Sequence, residues 1–365
     1  MKICIISSIF HGFGKIGGYG AMARQLSDAL VERGHSVVVI VPRRKGQAVV
    51  THMNGYDVRG VTMLDMINPW LYKKVAADIY HSQSPNLMST AALLGAADKK
   101  HIITCRDPRN LYDWWVEIKD ATWKRRIRNI FLSAFEEGPL VTWAIRRADR
   151  IGFAAKDVRD KVLHMYHPSN DPCYLPNIER IPDRIPQKAT KPTVCFVGRL
   201  DKRKRPELFI DLAPQFPDVD FLIVGRAEDS TRHEMLIRRA AQYANITMCG
   251  YVDKFTEQEQ FYDVYNKSWI LINTASREAF PLTYFEAGGR GCAVLSHVNP
   301  DGFLPECGFC AETDNFAEGL RFLLDNDQWR QKGEHAYRYV AARSRYDDAV
   351  NVHLDLYENV LSVKA

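Results

Sequence analysis

The chain has 365 residues, 46% of them hydrophobic and 25% charged, with a formal net charge of +5. That length is long for one core and fits two domains, and the composition is that of an ordinary globular protein. The modest positive charge allows an acidic substrate or a membrane surface but does not argue for nucleic acid, and no run of 18 apolar residues is present to span a bilayer.

The opening MKICIISSIFHGFG carries one lysine and an apolar run, but no small-residue cleavage pattern follows. It reads as a first strand rather than a signal peptide, which makes the expected compartment the reducing cytoplasm. Four cysteines (Cys4, Cys105, Cys195, Cys249) fall in expected strands, where they behave as small buried hydrophobes. Cys307 and Cys310 form a lone C-x-x-C, short of the four ligands of a structural zinc site.

Strand-like and helix-like segments alternate from the start. Lys2 to Ser7 is a strand, and the glycine-rich loop Gly12 to Gly20 follows it. The helix expected over Ala21 to Glu32 has apolar positions at Ala23, Leu26, Ala29 and Leu30 and closes on Gly34. Further strands are expected at Ser36 to Val41, Ile79 to Ser82, His101 to Cys105 and Arg150 to Ala154. Such alternation predicts a parallel sheet covered by helices.

Residues 123–135 place apolar side chains at 123, 127, 130, 131, 134 and 135, a helical spacing, with KRR-x-R on the other face. The first reading is a core-facing stripe with a solvated basic face. The second is peripheral contact with anionic lipid at the inner face of a membrane, or with an anionic acceptor, diluted by Asp120, Glu136 and Glu137.

From Ile178 to Thr193 prolines and charges crowd together, which predicts a linker. The alternation then restarts: TVCFVG with a helix near Pro206 to Ala213, and FLIVG with one over Arg232 to Tyr243. ITMCG precedes Glu257 to Lys267, WILIN precedes a helix beginning near Pro281, and CAVLS precedes two closing helices. The fold expected is therefore α/β, with two doubly wound Rossmann-like domains facing a central cleft and ligands at the carboxyl ends of the strands. The domains run over 1–180 and 190–344.

Thr274 to Gly291 (TASREAFPLTYFEAGGRG) is the stretch richest in chemistry. A strand feeding a helix aims free amides and the positive end of the helix dipole at an anion above the turn, and Pro281 suits a first helical turn. Glu278 and Glu286 flank the turn, and a carboxylate accepts two hydrogen bonds at once, as neighbouring sugar hydroxyls require. Acidic residues in a first turn also arise simply to complement the dipole.

Three other segments bear on the same question. Gly12-Phe13-Gly14-Lys15-Ile16-Gly17 spells G-x-G-x-x-G, but the second strand ends in Pro42-Arg43-Arg44-Lys45 rather than in a ribose-binding acid. NAD is disfavoured, NADP could use the arginines, and a phosphate or sugar contact from Gly17-Gly18 is the preferred reading. Gly198 to Arg205 (GRLDKRKR) is a basic cluster at a strand's carboxyl end, able to clamp a diphosphate or simply to stand in solvent. Asp218-Val219-Asp220 and Asp325-Asn326-Asp327 mimic D-x-D but read as turns, so no divalent metal is expected to be required.

Together these segments resemble the retaining glycosyltransferases of the GT-B type, in the group-1 (family 4) class that uses nucleotide-diphosphate sugars. The resemblance is carried in order by Gly17-Gly18 with RGHSVVVIVP, then ADRIGFAAK, LPN (Leu175 to Asn177), FVGRLDKRKRPELFI, FLIVG, GYV and SREAFPLTYFEAGGRGCAVL. It implies that Arg199 and Lys204 neutralise the donor diphosphate, that Glu278 binds donor-sugar hydroxyls and that Glu286 holds the nucleotide ribose. It further implies that the amides of Phe280, Leu282 and Thr283 contact phosphate and sugar, that Gly17 and Gly18 close over the donor, and that the last helix, 345–365, crosses back to the first domain. Arg106 stands where the family often has a histidine near the reacting sugar and is counted with the donor-binding residues, and Arg226-Ala227 replaces a glycine-containing pair. The activity implied is transfer of a sugar to a sugar, lipid-linked or small-molecule acceptor, in glycan or glycoconjugate biosynthesis, without a cofactor. A sugar-nucleotide epimerase, a pyridoxal-dependent phosphorylase, an NADP oxidoreductase and a binding module without turnover are the alternatives.

Overall fold

A computed structural model of the chain describes residues 1–13, 17–110, 112–115 and 123–363; the side chains at 124, 125, 128 and 132 lie outside the described set. Its contacts divide the chain into two units, Met1–Ile178 with the chain from Asp347 onward, and Glu179–Tyr346.

The first unit is built on eight strands: β1 (Lys2–Ile6), β2 (Ser36–Pro42), β3 (Val50–Met53), β4 (Tyr56–Val61), β5 (Ile79–Ser82), β6 (Lys100–Cys105), β7 (Arg150–Phe153) and β8 (Cys173–Tyr174). Their order is β3-β4-β2-β1-β5-β6-β7-β8. Every neighbouring pair is parallel except β3 and β4. The apolar runs of β1, β2 and β5 are buried almost throughout, as strands covered on both faces require. From β1 the chain moves outward to β2 on one side and returns to β5 on the other, so the order reverses between β1 and β5. Ligands of open α/β sheets lie in the crevice at such a reversal.

The helix after β1 spans Gly18–Glu32, three residues earlier than its apolar spacing indicates, because Gly17 serves as its N-cap. The β3–β4 hairpin turns at Asn54-Gly55, both with positive φ (44° and 88°), a pairing that suits a two-residue hairpin. That hairpin and β8 are absent from the expected alternation. The last helix, Tyr346–Ser362, contributes Tyr357, whose hydroxyl lies 2.6 Å from Nδ1 of buried His81.

The apolar stripe of Trp123–Glu137 is the main departure. Trp123, Ile127, Ile130 and Phe131 are 67%, 48%, 60% and 73% exposed and face solvent, while Phe135 at the end of the stripe packs against the core of the first unit. The core-facing reading is therefore corrected for Trp123 to Phe131 and holds for Phe135. Helical spacing sets which side chains share a face, not whether another element covers it.

The second unit carries β9 (Thr193–Val197), β10 (Asp220–Val224), β11 (Ile246–Gly250), β12 (Ile270–Asn273), β13 (Ala293–Ser296) and β14 (Gly308–Cys310), all parallel, in the order β11-β10-β9-β12-β13-β14. Alternate residues feed two cores: Val194, Phe196, Ile270 and Ile272 pack on one face, and Cys195 and Leu271 on the other. Cys195 is a small hydrophobe here, its thiol pushed up by burial. The proline-rich segment expected to be a linker is strapped to this unit: Ala189 N donates to Lys267 O at 3.1 Å, and Tyr337 Oη to Pro182 O at 2.7 Å. Asp218 lies in the turn before β10 and Asp325–Asp327 is a short turn with Asn326 and Asp327 at positive φ, as expected of turn residues, whereas Asp220 is already the first residue of β10.

Candidate functional site

In the second unit the sheet order reverses between β9 and β12, which lie side by side. The loop after β9 carries Arg199 to Arg205, and the loop after β12 carries Thr274 to Pro281. Gly198 opens the first loop at φ 155°, and Gly225 lies so close that a Cβ on it would stand 1.8 Å from Gly198 O. This contact needs glycine and fixes where the basic loop departs.

The two loops are stitched together. Ser276 N donates to Arg203 O at 2.8 Å, while Thr274 Oγ1 donates to the carbonyls of Lys204 and Arg205 at 2.7 and 2.9 Å. Arg205 Nε donates back to Thr274 O at 2.7 Å, and its guanidinium forks onto Asp314. Arg205, in the left-handed region at φ 47°, thus serves as a structural clamp. The clamp leaves Lys204 aimed at Glu278: its ammonium donates to Glu278 Oε1, with both side chains only about 15% exposed (16% and 15%). Arg199, on the same loop, pairs with Asp201 at 3.1 Å.

Pro281 is the N-cap rather than the first helical residue. It has an extended ψ of 129° and offers no side-chain acceptor, and the helix runs Leu282–Gly288. The amides of Leu282 and Thr283 therefore lack intrahelical acceptors. Thr283 Oγ1 is buried and without a partner, while the Phe280 ring packs 4.7 Å from Phe285 and holds the turn against the core.

The two motif glutamates differ sharply. Glu286 is 3% exposed, and both its oxygens are engaged: Oε1 accepts from Lys254 Nζ at 2.7 Å and Oε2 from Tyr265 Oη at 2.9 Å. Lys254 also donates to Glu179 Oε2 at 2.9 Å, and Tyr262 Oη donates to Glu179 Oε1 at 2.7 Å. Arg290 stands 3.6 Å from the same carboxylate. Burial works against charge on both Glu179 and Lys254. The neighbouring cations nonetheless hold the Glu179 carboxyl below its usual range, and the two carboxylates push the Lys254 ammonium up. Two anions and two cations balance inside this knot. A carboxylate has about four lone-pair positions, so Glu286 retains acceptor capacity beyond its two protein partners.

Lys254, Glu179, Tyr262, Tyr265 and Arg290 carry no local signal that would have marked them. Within the first unit, Gly17 and Gly18 begin the helix after β1, and Arg106 reaches Met22 of that helix (Nη1 to Sδ, 3.1 Å). Of the G-x-G-x-x-G, Gly14, Lys15 and Ile16 lie outside the described residues.

Residues 177–338 match the family model of glycosyl transferases group 1, and residues 17–177 match that of the glycosyl transferase 4-like domain. The chain belongs to the group-1 glycosyltransferases of the GT-B fold. Among curated relatives, this glycosyltransferase is 22% identical over 317 residues to a subunit of human phosphatidylinositol N-acetylglucosaminyltransferase, covering 81% of this chain and 61% of that one. It is 24% identical over 371 residues to phosphatidyl-myo-inositol mannosyltransferase of Mycolicibacterium smegmatis, covering 90% of this chain and 88% of that protein. Its fold superposes on sucrose-phosphate synthase from Thermosynechococcus elongatus with a TM-score of 0.75 at 16% identity, covering all of both chains. An Anabaena protein solved in complex with UDP-glucose gives 0.69 at 14% identity, covering 98% of this chain and 100% of that one. Both units of this glycosyltransferase are accordingly the Rossmann-like halves of a GT-B enzyme.

Proposed function

We propose that this glycosyltransferase moves a sugar from a nucleotide-diphosphate sugar to an acceptor hydroxyl with retained anomeric configuration, in glycan or glycoconjugate biosynthesis. One observation carries the reading. At the β9/β12 reversal, the Lys204 ammonium and the Glu278 carboxylate meet beside a helix start that has no side-chain cap. A cation next to a hydroxyl-accepting anion is what the junction between a diphosphate and a sugar demands.

In the reaction the bond from the anomeric carbon to the phosphate oxygen breaks and a bond to the acceptor oxygen forms. The acceptor's proton passes to the departing phosphate oxygen, so no protein base is required. Arg199, Lys204 and the amides of Phe280, Leu282 and Thr283 receive the charge that develops on the diphosphate, a preorganised electrostatic role that needs no divalent metal. Glu278 orients the sugar, and Glu286 uses its remaining acceptor capacity on the ribose. Gly17 and Gly18 let backbone approach the donor. The Anabaena complex with UDP-glucose supports a nucleotide-diphosphate donor, and the relatives named for phosphatidylinositol support a lipid-linked acceptor. The cytoplasm is the proposed compartment, with the exposed stripe of Trp123–Glu137 resting on the membrane surface. No helix among the described residues is long and apolar enough to cross it.

The test is a thermal-shift screen of nucleotide-diphosphate sugars, followed by turnover in excess EDTA and NMR of the product's anomeric carbon. A ligand at 100 times its Kd adds about 2.7 kcal/mol of stability. Absence of any stabilising nucleotide sugar, or an inverted product, contradicts the proposal.

A further inference from the structure

The first unit holds a buried cation that the donor chemistry leaves unexplained. Four cationic side chains are buried among the described residues: Arg24, Arg106, Lys254 and Arg290. Arg24 has Asp28 at 3.7 Å, Lys254 has Glu179 and Glu286, and Arg290 has Glu179. Arg106 alone has no described carboxylate within ion-pair distance. Its neighbours are neutral: Nη2 donates to Gln83 Oε1 at 2.6 Å, Nη1 to Asn177 Oδ1 at 3.1 Å, and Nη1 also faces Met22 Sδ. Among the described residues its Nε has no acceptor, and neither does Nε2 of Gln83, which is 1% exposed.

Neutral acceptors satisfy a guanidinium's hydrogens but not its charge, and an uncompensated buried charge is costly. Burial drags the Arg106 guanidinium down to about 10, as expected of a cation with no counter-ion among the described residues. Its position is equally specific. Arg106 follows β6, and Gln83 follows β5, its amide tied to Ile6 O of β1 at 2.8 Å. These are the carboxyl ends of the strands at and beside the β1/β5 reversal, where an α/β sheet takes its ligand.

We infer that Arg106 and Gln83 form a receptor for an oxyanion, phosphate or carboxylate, carried by the acceptor. The assignment to the acceptor rests on the proposed transferase reading. The donor diphosphate has its cations in the second unit, which leaves the Arg106 charge for the other substrate. Nε of Arg106 and Nε2 of Gln83 supply two unspent donors to the anion, and the guanidinium supplies the charge.

The test is isothermal titration of the full chain with inorganic phosphate, with glucose 6-phosphate against glucose, and with UDP and GDP. The titrations are repeated on Arg106→Gln, Arg106→Lys and Gln83→Leu. Phosphate binding is expected to weaken about 10- to 100-fold in Arg106→Gln, the cost of one charge-assisted contact, and to recover in part in Arg106→Lys. Nucleotide affinity is expected to stay unchanged. Arg106→Gln is also expected to melt no lower than wild type, since it deletes an unpaired buried charge; a large loss of stability makes Arg106 structural and overturns the inference. So do equal phosphate affinities in wild type and Arg106→Gln, no phosphate binding to wild type, and parallel loss of nucleotide affinity, which would give the anion to the donor. Failure of every nucleotide to bind wild type, with phosphate binding intact, sinks the transferase reading and leaves the oxyanion receptor standing.

Discussion

The Nζ of Lys254 lies 2.7 Å from Oε1 of Glu286, and the same ammonium reaches Glu179 at 2.9 Å. Glu179 opens the second unit, and its amide donates to Ser344 O near that unit's end at 2.9 Å. The proposed ribose ligand is thus held in place by a cation that also braces the unit's two chain ends.

Removing one member of such a buried set leaves an unpaired charge and costs about 3–5 kcal/mol. Lys254→Met is expected to fall in that range by urea unfolding, and to weaken nucleotide binding as well. Lys254→Arg, which keeps the charge, is expected to recover most of the stability. A Lys254→Met protein as stable as wild type would show that the knot contributes nothing.

The two motif glutamates should separate by phenotype. Glu278→Gln keeps its shape but loses the charge that faces Lys204, and is expected to lower turnover with little change in Tm. Glu286→Gln leaves Lys254 with a single carboxylate and is expected to lower both Tm and nucleotide affinity. Parallel kinetics and melting curves check this. Identical behaviour of the two variants contradicts the division of roles.

Buried histidines set the acid limb of stability. Burial holds His353 down to about 4, from an ordinary value of 6.5, and holds His81 well below 6.5. Both are depressed bases, so at these two sites the unfolded chain binds more protons than the folded one between about pH 6.5 and 4; Glu137, pushed up to about 7 by burial, opposes them with the reverse sign. The contribution of the two histidines is therefore full above 6.5 and is lost as pH falls through that window, and their combined effect outweighs the single opposing carboxyl. Urea midpoints measured from pH 7.5 to 4.5 are expected to decline, with a shallower slope in His353→Gln. A flat wild-type profile contradicts the neutral buried state.

The exposed stripe gives a membrane prediction. Trp123, Ile127 and Phe131 on the Trp123–Glu137 helix are expected to hold the protein on vesicles containing phosphatidylglycerol, more strongly than on neutral phosphatidylcholine. Replacing all three by serine is expected to abolish co-sedimentation without lowering Tm. Retained binding places the lipid contact elsewhere or removes it.

Much of this molecule was legible in the linear chain for physical reasons. Parallel strands buried on both faces read as short apolar runs, and Ser36–Pro42 and Ile79–Ser82 appear almost where those runs lie. That Glu278 and the Arg199–Arg205 loop lie together at the carboxyl ends of neighbouring strands was legible, because each follows a short apolar run and precedes a helical one. The Asn54-Gly55 hairpin carries its own turn signal, but the βα alternation around it obscures it. Lys254 could not be read, since its partners lie 32 and 75 residues away and only the folded sheet brings them together. The same holds for Arg106, whose Gln83 and Asn177 contacts span 23 and 71 residues. Nor does helical periodicity say that Phe131 points outward, because that depends on what packs nearby.

The most direct measurement is steady-state transfer by Lys204→Ala, with the donor that the thermal-shift screen selects, alongside donor titration and a melting curve. If Lys204 receives the departing diphosphate, kcat/KM falls by roughly 10²–10³, the loss of about 3–4 kcal/mol typical of a deleted oxyanion donor, while the protein stays folded. Wild-type turnover and donor affinity in a folded Lys204→Ala protein would contradict the account at its centre.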